Sequence, residues 1–335
     1  MSSCSESDQN TGLYPLSKTN IKIFEGTEAW DLAVAVKNQN TKKIDKIAKE
    51  NPNLLDFQEP IYDCTLLIWA VGMEKYQSAQ ALLKCGADPN IIADSVDKHK
   101  EEAETALKNG DMALYERISS SFSQRTALYI ASGYSWIDNQ AKKDPKYVKL
   151  LLEHGADPNL HFTTGVEYFL LPDGNKDPYG METGTSPLIN SILCGIEKTK
   201  ALVEAGADIN NQTESGETAA IKALDAGWGA VTIELRQYAH YLIVEKKAIV
   251  TEPYYTSRYL SLQFHDGEVK EYYPVNILRK WVCSLDSEDY KLKMEIVDEF
   301  ARQGVDYWAT EIPQKELKEI KYRYPDTWEE YIKVY

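Results

Sequence analysis

From Thr65 to Asn90 the chain reads TLLIWAVGMEKYQSAQALLKCGADPN, a short apolar block followed by an amphipathic one. Leu66 to Ala70 sit behind Thr65, whose hydroxyl can cap an orphan backbone N–H at a helix start. Ala79, Leu82 and Leu83 recur at i, i+3 and i+4, one face of a second helix. Gly86 stands where a helix ends in the left-handed conformation, and Pro89 prevents the helix from resuming. The pattern predicts two short helices and a turn that throws the chain outward.

The same pattern returns. Val148, Leu151 and Leu152 precede Gly155-Ala-Asp-Pro-Asn159, and Thr199, Leu202 and Val203 precede Gly206-Ala-Asp-Ile-Asn210. Weaker copies are Ile44, Ile47 and Ala48 before Asn51, Ile243 and Val244 before Lys247, and Val297, Phe300 and Ala301 before Gly304. Helix openers stand upstream at Thr65, Thr126, Ser186 and Thr218. On these residues the chain resembles the ankyrin-repeat family, whose unit of about 33 residues is a turn plus two antiparallel helices. The resemblance runs from residue 27 to residue 310. It implies an all-α repeat solenoid, an ankyrin-like helix-turn-helix stack in which each unit leans on its neighbours.

Two departures matter. Where the family's Thr-Pro-Leu-His tetrapeptide has His, this chain has Ile68, Tyr129, Ile189 and Ile221, so apolar packing must replace a polar link between units. The spacing is also uneven, 35 residues from Asn51 to Gly86, then 69 to Gly155, 51 to Gly206 and 41 to Lys247, which requires insertions. The expected organisation is a loose polar tail over 1–20, a stack of about five units over 21–250, and a divergent region over 251–335. Residues 91–125 are an insertion rich in helix formers, read as a helical hairpin or a degenerate unit. Residues 160–185 are a finger with strand character at Val166 to Leu171 and a turn at Pro172-Asp-Gly174. The first unit's helices are expected over Asp31 to Val36 and Thr41 to Lys49. Trp136 to Pro145 lengthen the turn inside the third unit, and Gly227 to Arg236 that inside the fifth. His265-Asp-Gly267 marks a β-hairpin over 257–273, because Asp-Gly suits a type I′ turn. Helices over Val275 to Val282 and Tyr290 to Arg302 follow, and QKELKEIKYRY and TWEEYIKVY form a C-terminal helical cap with a polar outer face.

The net charge of -15 and pI near 4.9 argue against nucleic acid or an anionic membrane, which attract a basic surface. A protein partner with a basic surface fits better. Five cysteines, with no C-x-x-C pair, support neither a disulfide framework nor a zinc cluster. No stretch approaches 18 apolar residues, so no transmembrane segment is expected. Ser2-Ser3-Cys4-Ser5 looks like the start of a mature bacterial lipoprotein, but no apolar leader precedes it. The location is therefore cytoplasmic as written, or the cell envelope if a leader that lipidates Cys4 is missing.

Five scattered histidines form no metal-ligand motif, and there is no nucleophile elbow or phosphate-cradling loop. Asp173, Asn175 and Asp177 have calcium-loop spacing, but Pro178 and Gly184 stand where an EF-hand needs Gly and Glu. The expectation is a binding module without catalysis, cofactor or metal. The resemblance implies a partner on the concave face, at the family's variable positions before and after each opener. Here these are Ile61, Tyr62, Gly72 and Met73; Phe122, Ser123, Arg125, Gly133 and Tyr134; Glu182, Thr183, Leu193 and Cys194; and Glu214, Ser215, Glu217, Asp225 and Ala226. Among them Tyr62, Met73, Phe122 and Tyr134 would be anchors, with Arg125 beside them and Glu182, Glu214, Glu217 and Asp225 as an acidic rim. Two alternatives stand beside this reading: an envelope-anchored structural scaffold, and an antagonist of a basic toxin. A monomer is expected.

Overall fold

Four units open on a hydroxyl. Thr65, Thr126, Ser186 and Thr218 accept a hydrogen bond from the backbone N–H three residues on, at 3.2, 3.1, 3.3 and 3.2 Å, so the first helices of these four units start with one orphan donor satisfied. The computed structural model describes residues 16–94, 99–112, 114–115, 124–161, 183–228, 233–255 and 271–335. Its helices are α1 (Trp30–Lys37), α2 (Thr41–Glu50), α3 (Leu66–Gly72), α4 (Tyr76–Lys84), α5 (Lys100–Lys108), α6 (Ala127–Ser132), α7 (Lys146–Glu153), α8 (Pro187–Ser191), α9 (Ile196–Glu204), α10 (Ala219–Trp228), α11 (Ile233–His240), α12 (Pro274–Leu278), α13 (Glu288–Arg302), α14 (Gln314–Arg323) and α15 (Trp328–Val334). Two strands, β1 (Tyr254–Tyr255) and β2 (Glu271–Tyr272), pair antiparallel.

The helices stack in two rows. First helices pack in the order α1, α3, α6, α8, α10, α12, and second helices in the order α2, α4, α7, α9, α11, α13. One continuous apolar core runs between the rows from Ile21 to Tyr307. The chain is an all-α repeat solenoid. Because α6 packs directly on α3, α5 does not occupy a place in the stack; its segment is tied down by the backbone bridge between Ala93 and Arg125, with N–H to O distances of 3.0 and 2.9 Å.

The outward turns line up along one edge. Gly86, Gly155, Gly206 and Gly304 have φ between 86 and 102°, and Lys247 takes the same conformation at 61° without being glycine. Asn51 does not, with φ at -144°, because the first unit runs straight into a 3-10 turn, Pro52–Asp56. A side-chain ladder joins successive turns. Asp56 accepts from Asp88 N–H at 2.9 Å, Asn90 from Asp157 N–H at 2.8 Å, Asn159 from Asp208 N–H at 2.8 Å and Asn210 from Ile249 N–H at 2.9 Å. The amides of Asn90 and Asn159 also donate to Gly155 O and Gly206 O. The ladder steps directly from Asn90 to Asp157.

Several boundaries differ from expectation. Residues 16–20 are not a loose tail. Leu16 O accepts from the Tyr62 hydroxyl at 2.6 Å and Thr19 O from Trp69 Nε1 at 3.2 Å, so this segment lies against α3. Gly227 and Trp228 belong to α10 and Ile233 to Arg236 to α11, so these residues of the expected turn are helical. Helix α12 stops at Leu278 so that Trp281 can enter the core, its indole N–H bonded to Leu224 O at 3.0 Å. The cap is held by a second, smaller cluster of Ile320, Tyr331 and Tyr335. Arg279 joins the cap to the stack, donating to Thr310 O and Tyr335 O at 3.1 and 2.7 Å with its guanidinium 4.5 Å over the Tyr307 ring. Cys4, the finger turn at Pro172-Asp-Gly174 with its calcium-like spacing, and the His265-Asp-Gly267 turn lie outside the described residues.

Candidate protein-interaction surface

The loops before the first helices of the last units are joined by backbone hydrogen bonds. Thr213 and Glu217 close a tight turn, with Thr213 N–H to Glu217 O at 3.0 Å and Gly216 N–H to Thr213 O at 2.9 Å. Gly216 has φ of 79°, and a Cβ there would lie 3.1 Å from Pro253 O, so the turn fits closely against the next strand. Glu214 N–H donates to Thr183 O at 2.8 Å and Tyr255 N–H to Ser215 O at 2.7 Å. Three successive loops are thereby locked edge to edge.

This surface carries both aromatic and acidic groups. Tyr255 and Tyr273 are 38% and 43% exposed, beside the stacked pair Tyr254 and Tyr272. Glu214, Asp225, Glu252 and Glu271 are exposed and Glu217 is half-buried. Glu214 and Asp225 have no ion pair among the described residues. Burial raises the Tyr254 hydroxyl pKa, and the negative charges of Asp225 and Glu217 push it further in that direction. The carboxylates therefore stand next to the tyrosines, and charge and apolar area share one patch.

The expected contact residues divide. Glu214, Glu217 and Asp225 lie in or beside this patch. Tyr134, 47% exposed, and half-buried Met73 lie at the other end of the first helices, by the inter-helix turns. Arg125 is half-buried and bridged to Ala93 through its backbone. Phe122 and Glu182 lie outside the described residues. Tyr62 is a correction: it is 3% exposed, and its hydroxyl is covered by Leu16. The cause is the buried carboxylate of Glu59, which accepts from the N–H groups of Ile61, Tyr62 and Cys64 at 2.8, 2.6 and 3.2 Å. The loop is wound around that carboxylate, and Tyr62 points into the core. Cys194 and Gly72 are likewise buried. Tyr255 and Tyr273 were not among the expected contacts, because the alternation around them reads only as hairpin; the density of tyrosine at 254, 255, 272 and 273 was the available signal.

The family model of the ankyrin repeat matches residues 62–94 and 123–161, which are the second unit and the third. Those two units are ankyrin repeats. A crystal structure of the ankyrin repeat protein EF0377 is similar at 18% identity, covering 82% of this chain and 98% of that one with a TM-score of 0.42. A comparison with curated proteins gives no match. Ankyrin repeats are in general protein–protein interaction modules. Among the described residues of this ankyrin stack no helix is long and apolar enough to cross a membrane, and no three His, Cys, Asp or Glu side chains are grouped to hold a metal.

Proposed function

We propose that this ankyrin stack binds a partner protein with a basic surface, without catalysis, and that the loops of its last three units are the main contact. The observation carrying the reading is the joint presence of exposed Tyr255, Tyr273 and Glu214 on loops fixed to one another by backbone bonds, with the exposed carboxylate of Asp225 beside them on helix α10. Rigid aromatic side chains bury much area at little entropic cost, and an acidic rim steers and orients a cationic partner. The loops are held before the partner arrives, which limits the ordering cost of binding.

The test is affinity purification of the intact protein from its source at low salt, about 0.05 M, and at about 0.5 M, where exposed charges are screened. A partner retained at low salt should be lost at high salt and by Glu214→Lys/Asp225→Lys, and should be weakened about tenfold or more by Tyr255→Ala. Retention of the same partner by the charge-reversed protein at both salt concentrations would refute the reading.

A further inference from the structure

At the opposite edge of the stack the third unit's long inter-helix loop, residues 133–145, is fitted onto three other units. Trp136 lies so close over Gly72 that a Cβ there would be 2.1 Å from the indole. Ser135 Oγ donates to Glu74 at 2.6 Å, the backbone of Lys143 presses on Gly195, and Lys143 Nζ reaches Glu234 at 2.7 Å. Between this loop and the ends of α3 and α6 lies a cavity of about 130 Å³. Its walls include Val71, Ile130, Trp136 and Tyr147, and Lys198 of α9 reaches it from below.

Lys198 is the unusual member of that lining. It is 3% exposed, and its ammonium has one hydrogen bond, to Gly133 O at 3.4 Å. The other two lysines of the wall already have counter-charges: Lys142 meets Asp138 at 2.5 Å and Lys146 meets Asp144 at 3.3 Å. Lys198 forms no ion pair among the described residues, although an ammonium has three protons to donate. The wall also holds the carboxylates of Glu74 and Asp144, which favour the charged form of Lys198 without touching it, and a buried cation with unspent donors is costly unless an anion in contact completes it.

We propose that this cavity is a receptor site for a short aliphatic carboxylate, with the charge taken by Lys198 and the alkyl body by Trp136, Tyr147 and Val71. The wall sets three lysines, Lys142, Lys146 and Lys198, against two carboxylates, Glu74 and Asp144, so one further negative charge balances it. The volume is a little below the about 150 Å³ of a cavity that holds benzene, which sets the size at a few carbons. Burial pulls the Lys198 pKa down, so an anion that restores the charged form gains from both the contact and the relief. The carboxylate could arrive as a free acid or as the glutamate side chain of a bound partner; the chemistry is the same.

Calorimetric titration of the full chain with butyrate, with its neutral isostere butyramide and with N-acetylglutamate α-amide separates these. Saturable binding of butyrate that falls by about tenfold or more in Lys198→Met, while butyramide is unaffected, is the expected result. Saturation by butyrate alone assigns a free acid, and saturation by the glutamate derivative alone assigns a partner's side chain. No saturation by either, or equal butyrate binding by Lys198→Met, overturns the proposal. Should Lys198→Met lose its fold on thermal melting, Trp136→Ala supplies the same test: butyrate affinity should drop about tenfold by loss of the cavity wall, and an unchanged affinity overturns the proposal.

Discussion

The two edges of this ankyrin stack are built on opposite plans. Along the outward turns one device is repeated, a side-chain oxygen of one unit accepting from the backbone of the next, from Asp56 through Asn210. Along the inter-helix turns every joint is different: Ser78 Oγ donates to Val36 O, Gly195 N–H to the Tyr238 hydroxyl, Asn190 to Tyr129 O, and Trp136 lies on Gly72. Repetition makes the first edge tolerant, since each rung contributes little. Specific fit makes the second edge brittle, and that difference can be measured with matched glycine substitutions. Gly195→Ala places a side chain at φ of 122° and 2.8 Å from the Lys143 backbone. The loss of stability should be about 3 kcal/mol, from left-handed strain and overpacking together. Gly155→Ala also meets a positive φ, 86°, but nothing lies within 4 Å of the added Cβ, so strain alone should cost about 1 kcal/mol. Denaturant melts of the two variants check the ratio; equal losses would remove the contrast between the edges.

A smaller effect is expected from breaking a rung. Asn159→Ala removes an acceptor for Asp208 N–H and a donor to Gly206 O at 3.1 Å. Both partners lie at an exposed edge where water can replace the side chain, so the loss should be about 0.5 kcal/mol. Since each unit contacts only its neighbours, amide exchange should speed up at Asp208 and Asp157 before it does at Asp88. Uniform acceleration along the whole stack would show the rungs to be cooperative.

What the sequence made legible follows the same division. The openers at Thr65, Thr126, Ser186 and Thr218 and the Gly-Ala-Asp turns are local devices, readable because one residue type at one spacing solves one backbone problem. They located the repeat, its two helices and the ladder edge. Tyr62 was misjudged because its burial depends on Glu59 folding the loop inward and on Leu16 crossing it, a contact 46 residues away in the chain. Residues 16–20 look like a tail by composition and are held by backbone carbonyls, which composition does not register. The loop at 133–145 was visible as extra length, but not that Trp136 would find a glycine in another unit. Lys198 reads as a solvated helix lysine and is buried only because the third unit's loop closes over it. Sequence patterns report what a unit does for itself; the parts missed are those in which one unit completes another.

The subtlest difference between the edges is in their response to pH. The exposed rungs of the outward edge are neutral amides except at Asp56, whereas the other edge contains Lys198 with a pKa lowered from 10.5, first by burial. A lysine whose folded-state pKa lies below its unfolded value binds its proton more tightly in the unfolded chain. Between the two values the unfolded state therefore holds more protons, and stability rises with pH. Below the folded pKa the whole penalty of the buried cation is present, and above 10.5 it is gone. The denaturation midpoint of the wild type should climb relative to Lys198→Met as pH rises from the lowered folded-state pKa toward 10.5, and the two profiles should differ by a constant below that window. A butyrate-saturated wild type should lose most of the climb, because a bound anion supports the ammonium. Parallel profiles for wild type and Lys198→Met across the window would mean that the cation beneath the third unit's loop is solvated, and the brittle edge would then owe its character to shape alone.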